Sequence, residues 1–376
     1  MRYLALTVVL AVVVLAAFGG VGGAANGHAN AAAVCPAAEV GASHCHVLVT
    51  TDAHGNPDVQ TTPYGLSPDQ IKTAYSFPTS LSAGAGTTIA IVDAYNDPTV
   101  QSDLQVFSSQ YGIPCNGCLT VVNQNGGTSL PRTNANWAVE ISLDVQWAHA
   151  IAPGAQILLV EASSNSNSNL YAAEDYAKQH SQYVSNSWGG PESSGEKSFD
   201  SHFAQSGVSF FVSAGDAGLP AEYPSASPNV ISVGGTTLNL NANGSVASET
   251  GWSSGGGGCS AYEAATSAQA GFSQYAQAGC NGKRATPDVS LDADPATGVS
   301  VYDSTKYQGQ AGWWRVGGTS ASSPMWAGRA ADAAGVLNAS TVYGSTITFR
   351  DIVNGNNGAP CLVGFDLCTG RGSWTN

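Results

Sequence analysis

Two acidic residues in an otherwise apolar stretch are the first sign of chemistry in this sequence. Residues 136–151 read NWAVEISLDVQWAHAI, which predicts a helix buried on nearly all sides. Glu140 and Asp144 are four residues apart and therefore share one helix face, and no Lys or Arg lies between Arg132 and Lys178 to offer them a cation. Burial and like charge should keep a proton on one of them, as in acid/base carboxyl pairs. The alternative is a helix with two partly exposed acids.

A serine at the start of a second predicted helix is a candidate nucleophile. Residues 317–324 read GGTSASSP and precede an Ala-rich run that predicts a helix over 320–337. The glycines allow close approach of a substrate, and the free N–H groups and positive end of a helix favour an anionic oxygen near Ser320. The alternative is that these serines only cap the helix.

Asp216 is the third candidate. It stands in SAGDAG, residues 213–218, directly after the strongly apolar run 208–214. A carboxyl between two glycines at the end of a buried strand points to a site; the alternative is an ordinary turn aspartate.

The elements that would position these residues alternate between strand-like and helix-like patterns. We predict strands at 88–95, 156–162, 183–188, 208–214 and 230–236. We predict helices at 98–110, 137–150, 169–180, 197–205 and 320–337. This alternation predicts an α/β fold, a mostly parallel sheet with helices on both faces, in which sites lie at the carboxyl ends of strands. The Gly/Ser/Ala-rich stretch 238–288 should carry loops beside the cleft.

Composition excludes several classes of protein. The 376 residues carry 12 Lys+Arg against 26 Asp+Glu, a net charge of −14, so nucleic acid is an unsuitable partner. Hydrophobic residues make up 43% of the chain, as in globular proteins rather than disordered ones. No repeat is visible.

The first residues have the pattern of a secretory signal peptide, which we place at 1–25. Arg2 precedes an apolar run, 4–18, and small residues follow. A membrane anchor is the alternative, but this run is shorter than the ~20 residues of a spanning helix. We therefore expect a secreted protein with no stable membrane anchor.

Eight cysteines fit an oxidising compartment. Their spacing suggests four local disulfides, Cys35 with Cys45, Cys115 with Cys118, Cys259 with Cys280 and Cys361 with Cys368. Cys115 and Cys118 could instead form a redox or zinc half-site, although no second CxxC accompanies them.

Taken together, the three candidate elements resemble the sedolisin family of serine-carboxyl peptidases over about residues 64–374. The resemblance implies a subtilisin-like fold with the site residues Glu140, Asp144, Asp216 and Ser320. Two further stretches support it, IAPGA at 151–155 and NSWGG at 186–190, where the family's substrate-binding strand runs.

The chemistry implied by this resemblance is peptide-bond hydrolysis. Glu140 would take the proton of the Ser320 hydroxyl, and Asp144 would orient Glu140 and share that proton. The Ser320 N–H and a protonated Asp216 would stabilise the oxyanion, which predicts an acid optimum. Protein or peptide substrates and a monomeric enzyme are expected.

A fourth constellation, near the end of the chain, resembles the family's calcium loop. The implied Ca²⁺ ligands are the carboxylates of Asp351 and Asp366 and the main-chain carbonyls of Ile352, Leu362 and Gly364. Leu362 stands where the family has a glycine, but a backbone carbonyl can still serve. The alternative is an acidic loop fixed by a disulfide.

The domain arrangement expected is an irregular lead-in at 26–63, without the long prosegment of the family, and a single catalytic domain at 64–376 with the calcium loop. Two rival functions stay open. Asp93 lies on a strand-like run, as the acid of a histidine-dependent subtilisin does, but the sequence contains no His-Gly-Thr motif. We interpret His149, which follows Asp144 on the same predicted helix, as structural. A secreted binding protein that has lost catalysis is the second rival.

Overall fold

The candidate residues lie along one edge of a large sheet. The computed structural model describes residues 30–375, so the predicted signal peptide lies outside the described residues. Its strands, in chain order, are β1 Ala31–Ala33, β2 His44–Cys45, β3 Leu48–Thr50, β4 Val59–Gln60, β5 Thr88–Ala94, β6 Leu119–Asn123, β7 Gln156–Ala162, β8 Tyr183–Asn186, β9 Trp188–Pro191, β10 Ser209–Ser213, β11 Glu222–Tyr223, β12 Ile231–Leu240, β13 Val246–Gly251, β14 Gly258–Ala264, β15 Lys283–Thr286, β16 Val289–Asp292, β17 Val299–Tyr307, β18 Gln310–Gly317, β19 Phe349–Arg350 and β20 Ser373–Trp374.

Within residues 30–375, seven α-helices accompany the strands. They are α1 Pro68–Tyr75, α2 Val100–Tyr111, α3 Ala135–Ile151, α4 Asn167–His180, α5 Ser267–Ala270, α6 Thr319–Ala333 and α7 Ala339–Val342. Two 3₁₀ helices cover Glu196–Phe203 and Tyr275–Ala278. The segment predicted as a helix at 197–205 is therefore a 3₁₀ helix. The helix predicted at 320–337 ends at Ala333, because Ala334 adopts a left-handed conformation.

The central sheet has the order β13-β12-β10-β8-β5-β7-β6, with β16 also paired to β12. Every pairing is parallel except that of β12 with β13. All residues of β5 from Ile89 to Ala94 are buried, and because successive strand side chains point to opposite faces, both faces of the sheet are covered. The predicted mostly parallel α/β sheet is confirmed.

Helix α3 carries the acid pair through the core. Its first turn is capped by the side chain of Asn134, which accepts hydrogen bonds from the N–H groups of Asn136 and Trp137. From Trp137 to Ile151 every residue is buried. The helix packs against α6, so the two candidate segments predicted from sequence lie side by side.

The N-terminal segment is more ordered than the irregular lead-in that the sequence predicts. β1, β3 and β4 join β17 and β18 in an antiparallel sheet, and β2 pairs with β9. These partners lie far along the chain, so no local pattern indicated the strands. The strand predicted at 183–188 is interrupted at Ser187, since β9 leaves the central sheet and pairs with β2 and β11.

All four disulfides suggested by spacing are present: Cys35–Cys45, Cys115–Cys118, Cys259–Cys280 and Cys361–Cys368. The alternative of a redox or zinc half-site at Cys115 and Cys118 is not what this structure contains. Within residues 30–375, no helix combines the length and apolar character needed to cross a membrane.

Candidate active site

The acid pair and the serine meet in a fully buried position. Glu140 and Asp144 are both 0% exposed, so the alternative of two partly exposed acids is wrong. Ser320 Oγ donates a hydrogen bond to Glu140 Oε2 at 2.9 Å. Ser187 Oγ donates to Asp144 Oδ1, also at 2.9 Å. Among the described residues, no Lys or Arg forms an ion pair with either carboxyl.

A third carboxyl belongs to this group. Asp93, at the end of β5, is buried and neither of its oxygens has a hydrogen-bond partner. Burial raises its pKa to about 8. We call Asp93, Glu140 and Asp144 the catalytic carboxyl cluster. Sequence reasoning considered Asp93 only for the histidine-dependent rival; the signal that it belongs here was its place at the end of a buried strand.

The cluster holds protons well above the ordinary range of carboxyl groups. Burial raises the pKa of Glu140, and the neighbouring charges of Asp144 and Asp93 raise it further. Burial and Asp93 likewise raise the pKa of Asp144. Glu140 Oε1 and Asp144 Oδ2 accept no hydrogen bond from any other described residue, and burial with like charge favours a protonated form of the pair.

Asp216 lies beside the start of α6 with one oxygen fixed and one free. Its Oδ1 accepts hydrogen bonds from Thr319 N at 2.7 Å and Thr319 Oγ1 at 3.0 Å, whereas its buried Oδ2 has no partner. Burial raises the pKa of Asp216 to about 6, although the nearby His46 opposes the shift. Below that pH the carboxyl carries a proton that Oδ2 can donate.

Gly318 brings this carboxyl close to a peptide carbonyl. Its φ of +101° favours glycine, and a Cβ at this position would contact both the His46 carbonyl oxygen and Asp216 Oδ2. The Ser320 N–H donates to the same His46 oxygen at 3.2 Å. One donor predicted for an oxyanion hole, the Ser320 N–H, therefore bonds to a carbonyl oxygen of the chain itself, and the other, Asp216, lies beside the same glycine.

The N-terminal segment reaches the site through β2. Its residues pair antiparallel with β9, His44 opposite Gly189 and Cys45 opposite Trp188, and His46 N donates to Ser187 O at 3.1 Å. We call residues 43–48 the cleft segment. Sequence reasoning missed it, because nothing in the composition of residues 26–63 marks a strand that pairs with the stretch 186–190.

The loops of 238–288 contribute to the same region, as predicted. The glycine run 255–258 packs on the turn that carries Asp216, and Gly256 N donates to Gly215 O at 2.7 Å. A Cβ on Gly256 would overlap the backbone of Ala214, so this close packing requires glycine.

Neither His149 nor His46 forms a hydrogen bond with the Ser320 hydroxyl. His149 is buried against Ile113 O at 3.3 Å and Cys118 Sγ at 3.7 Å, and burial lowers its pKa to about 4. The two ring nitrogens of His46 contact Ser213 Oγ and Glu222 Oε2. Ser320 Oγ instead donates to Glu140, so the titratable group that contacts the serine hydroxyl is a carboxyl.

Both acids suggested as calcium ligands accept hydrogen bonds from the backbone of the C-terminal loop, and the Cys361–Cys368 disulfide encloses Leu362, Gly364 and Asp366 but not Asp351 and Ile352. Asp366 Oδ2 accepts from Leu362 N at 2.6 Å and Asp351 Oδ2 from Gly364 N at 2.8 Å. Burial raises the pKa of Asp366 to about 6, and the charge of Asp351 adds to this effect. Gln277 Nε2 donates to the carbonyls of Val363 and Phe365 but not to the Gly364 carbonyl between them.

Ser320 lies at the start of a helix beside a mostly parallel sheet and donates a hydrogen bond to a buried glutamic acid. This arrangement defines the class of subtilisin-like proteins that have a carboxyl in the place of the histidine. A family model described as Peptidase_S8, the subtilase family, matches residues 112–343, and the chain belongs to this family. The resemblance inferred from the sequence is thereby confirmed.

Individual relatives are sedolisin-type proteins. The chain is 32% identical to kumamolisin from Bacillus sp. (strain MN-32) over 83% of its length, and 28% identical to sedolisin from Pseudomonas sp. (strain 101) over 82%. It spans only 62% and 60% of the lengths of these two proteins. A solved structure of Pseudomonas sedolisin, a serine-carboxyl proteinase complexed with pseudo-iodotyrostatin, matches 84% of this chain and 96% of its own, with 29% identity and a TM-score of 0.72. The subtilisin-like fold is thus confirmed.

Proposed function

We propose that this protein is a secreted, acid-acting serine-carboxyl endopeptidase. The observation that carries the proposal is the 2.9 Å hydrogen bond from Ser320 Oγ to Glu140 Oε2 inside a buried carboxyl cluster. A hydroxyl becomes a nucleophile when an adjacent base takes its proton, and among the described residues Glu140 is the only titratable side chain hydrogen-bonded to Ser320 Oγ. The sedolisin-type relatives support the same reaction class.

The reaction proceeds in two halves. Ser320 Oγ attacks the carbonyl carbon of the substrate while Glu140 takes the hydroxyl proton. Glu140 then passes this proton to the leaving amine, and an ester on Ser320 remains. Water, deprotonated by Glu140, hydrolyses the ester and restores the serine. Asp144, held by Ser187, keeps Glu140 oriented and shares a proton with it.

Acid dependence follows from the oxyanion site. The Ser320 N–H and the protonated Oδ2 of Asp216 are the two donors for the developing oxyanion. Because the pKa of Asp216 is raised to about 6, the donor form is present below that pH and is lost as the pH rises through it. An ionised Asp216 would also repel the oxyanion.

A structural Ca²⁺ ion in the C-terminal loop is part of the proposal. The residues fit this ion: Asp351 and Asp366 are two carboxylates close enough to raise a pKa, and loop carbonyls supply further hard oxygen donors. When bound, the ion neutralises this like-charge repulsion and fixes the loop. The implied ligands are Asp351, Ile352, Leu362, Gly364 and Asp366.

Secretion and substrates are inferred from the same set of features. The apolar run of 4–18 and four disulfides suit an exported protein. Protein or peptide chains are the substrates, since a strand-like chain already lies along β9. We propose a monomer.

The test is a pH–rate profile on an unfolded generic protein such as casein, with acid-soluble peptides as the readout. Cleavage should be fastest in acid and fall as the pH rises through about 6, where Asp216 ionises. Ser320→Ala should show none at any pH while keeping its thermal unfolding midpoint. A rate that climbs through neutrality and disappears in His149→Ala would overturn the proposal.

A further inference from the structure

The cleft segment lies along β9 in an extended conformation, as a bound peptide would. Ser43 N donates to Asn165 O at 2.9 Å, His46 N donates to Ser187 O at 3.1 Å, and β2 pairs with β9 between these points. Main-chain hydrogen bonds of this kind hold an added strand without regard to its sequence. They fix which peptide bond of the segment faces the serine.

That bond is the one between His46 and Val47. The His46 carbonyl oxygen accepts from the Ser320 N–H at 3.2 Å and lies with Asp216 Oδ2 against Gly318. A carbonyl that accepts from the Ser320 N–H and lies on the same glycine as Asp216 is in the position where the oxyanion of an attacked peptide bond forms. Val47 is the residue that would leave as the amine.

The side chain of His46 occupies a polar pocket. Its side chain is 0% exposed, with Nδ1 at 2.7 Å from Ser213 Oγ and Nε2 at 3.0 Å from Glu222 Oε2. A Cβ on Gly189 would contact the ring, so the absence of a side chain there leaves room for it. An aliphatic side chain in this pocket would leave the partly buried Glu222 carboxylate without its partner.

The charges of the pocket match an imidazolium. Burial alone would lower the pKa of His46, but the charge of Glu222 and its hydrogen bond outweigh burial and raise it. The partner effect is reciprocal, since His46 lowers the pKa of Glu222 against the effect of burial. In acid, therefore, a cationic ring faces an ionised carboxylate.

We propose that the pocket of Ser213 and Glu222 selects histidine on the acyl side of the cleaved bond, and that His46–Val47 is the first substrate of the chain itself. The inference rests on the proposed peptidase function. Ser320 Oγ bonds to the His46 carbonyl carbon, the C–N bond to Val47 breaks, and the proton from Ser320 passes through Glu140 to the Val47 amine. Water then releases residue 46 as a free carboxylate. Until this cleavage, the cleft segment excludes other substrates.

The first experiment follows self-cleavage of the full chain. Protein purified at neutral pH is acidified, and the new N-terminus is sequenced over time. Val47 is the expected N-terminus, with activity on added peptides rising in step with its appearance. Ser320→Ala should stay intact. His46→Ala should slow cleavage at this bond by about 10–100-fold, the value of a charged hydrogen-bonded pair, whereas the matched exposed variant His54→Ala should cleave like wild type.

The second experiment measures specificity on two fluorogenic peptides that differ only in the residue before the cleaved bond, histidine or leucine. Wild type should prefer the histidine peptide, and Glu222→Gln should reduce the ratio of the two kcat/KM values by about 10-fold or more. Asp69→Asn, which neutralises an exposed acid on α1, should keep the wild-type ratio.

The outcomes separate failure of the inference from failure of the function. Cleavage of both peptides with no histidine preference, or a new N-terminus other than Val47, overturns the inference and leaves the peptidase function intact. If neither peptide nor casein is cleaved in a Ser320-dependent manner, the proposed function itself is wrong.

Discussion

Two groups of buried acids contact α3, and they differ in how their oxygens are occupied. The catalytic carboxyl cluster lies on the side of Glu140 and Asp144. On another side of the same helix, Ser142 Oγ donates to Asp97 Oδ2 at 3.1 Å. Asp97 belongs to a second group with Asp103 and Asp303, all at most 1% exposed, which we call the distal carboxyl cluster.

Short polar side chains and backbone amides surround the distal cluster. Asp97 Oδ1 accepts from Thr99 N at 3.0 Å and from Thr305 Oγ1 at 2.9 Å. Asp103 accepts from both the N–H and the hydroxyl of Ser304, at 2.8 and 2.7 Å. These bonds fix the carboxylates to α2 and β17 and join the two elements. Of the six carboxyl oxygens in this cluster, Asp303 Oδ2 alone has no partner among the described residues.

The catalytic cluster receives two hydroxyl hydrogen bonds and no backbone N–H. Both oxygens of Asp93, Oε1 of Glu140 and Oδ2 of Asp144 have no donor. Burial raises the pKa of all three groups, so this cluster retains protons at pH values where ordinary carboxyls are ionised. Burial alone therefore does not mark a catalytic acid. Carboxyl oxygens that lack a hydrogen-bond partner and lie beside a nucleophile do mark one.

The largest contrast should come from matched amide substitutions in the two clusters. Glu140→Gln removes the base and should lower kcat on casein by roughly 10²–10⁴-fold. Asp97→Asn keeps the size of the side chain and should leave kcat within about threefold of the wild-type value. Its main effect should be a lower unfolding midpoint. Equal losses of kcat in both variants would refute the distinction.

Asp216 provides the next largest effect. Asp216→Ala removes one oxyanion donor and should cost about 10²–10³-fold in kcat. Asp216→Asn can donate through its amide at every pH, so its rate should no longer fall as the pH rises through about 6. Asp303→Asn in the distal cluster should keep the wild-type pH profile. If the rate of Asp216→Asn still falls with the same midpoint pH as wild type, another group sets that midpoint.

Stability should depend on pH in the opposite sense from that of most proteins. The pKa values of Asp93, Glu161 and Glu174 are raised to about 8 by burial, so the folded state binds more protons than the unfolded state above about pH 4. The unfolding midpoint should then fall, on the order of 10 °C, as the pH rises from about 4 to 8. Calorimetry across this range tests it, and Asp93→Asn should flatten the slope. A midpoint that rises with pH would contradict these shifts.

The smallest effect concerns the C-terminal loop, a third arrangement in which two acids face a proposed cation. Removing Ca²⁺ with a chelator should lower the unfolding midpoint by about 5 °C. Asp366→Asn should lower it to a similar extent and make it insensitive to the chelator. The exposed variant Asp69→Asn should respond as wild type does. If wild type is also insensitive, the loop binds no calcium.

Much of the site was predictable because its signals are local. An apolar helix with two acids four residues apart, a serine after two glycines and an aspartate at a strand end each carry their information within a few residues. The structure brings Glu140 and Ser320 into contact and places Asp216 at the start of α6. The parallel sheet followed from alternating patterns of the same local kind.

The features that were missed depend on distant pairing. His46 reaches the cleft only because β2 pairs with β9, and Glu222 meets it from a third segment. Asp93 joins the acid pair because β5 is central in the sheet, an order that no local pattern specifies. Sequence periodicity shows which residues are buried but not which buried residues are neighbours.

The disulfide Cys35–Cys45 joins two residues that both precede the His46–Val47 bond. It therefore adds no covalent link between the N-terminal piece and the remainder of the molecule. Reducing agents would therefore not release the cleft segment from an uncut chain. They would also not speed the departure of the N-terminal piece after the His46–Val47 bond is cut. Maturation of this protein would accordingly respond to acidity and be indifferent to the redox state of its surroundings.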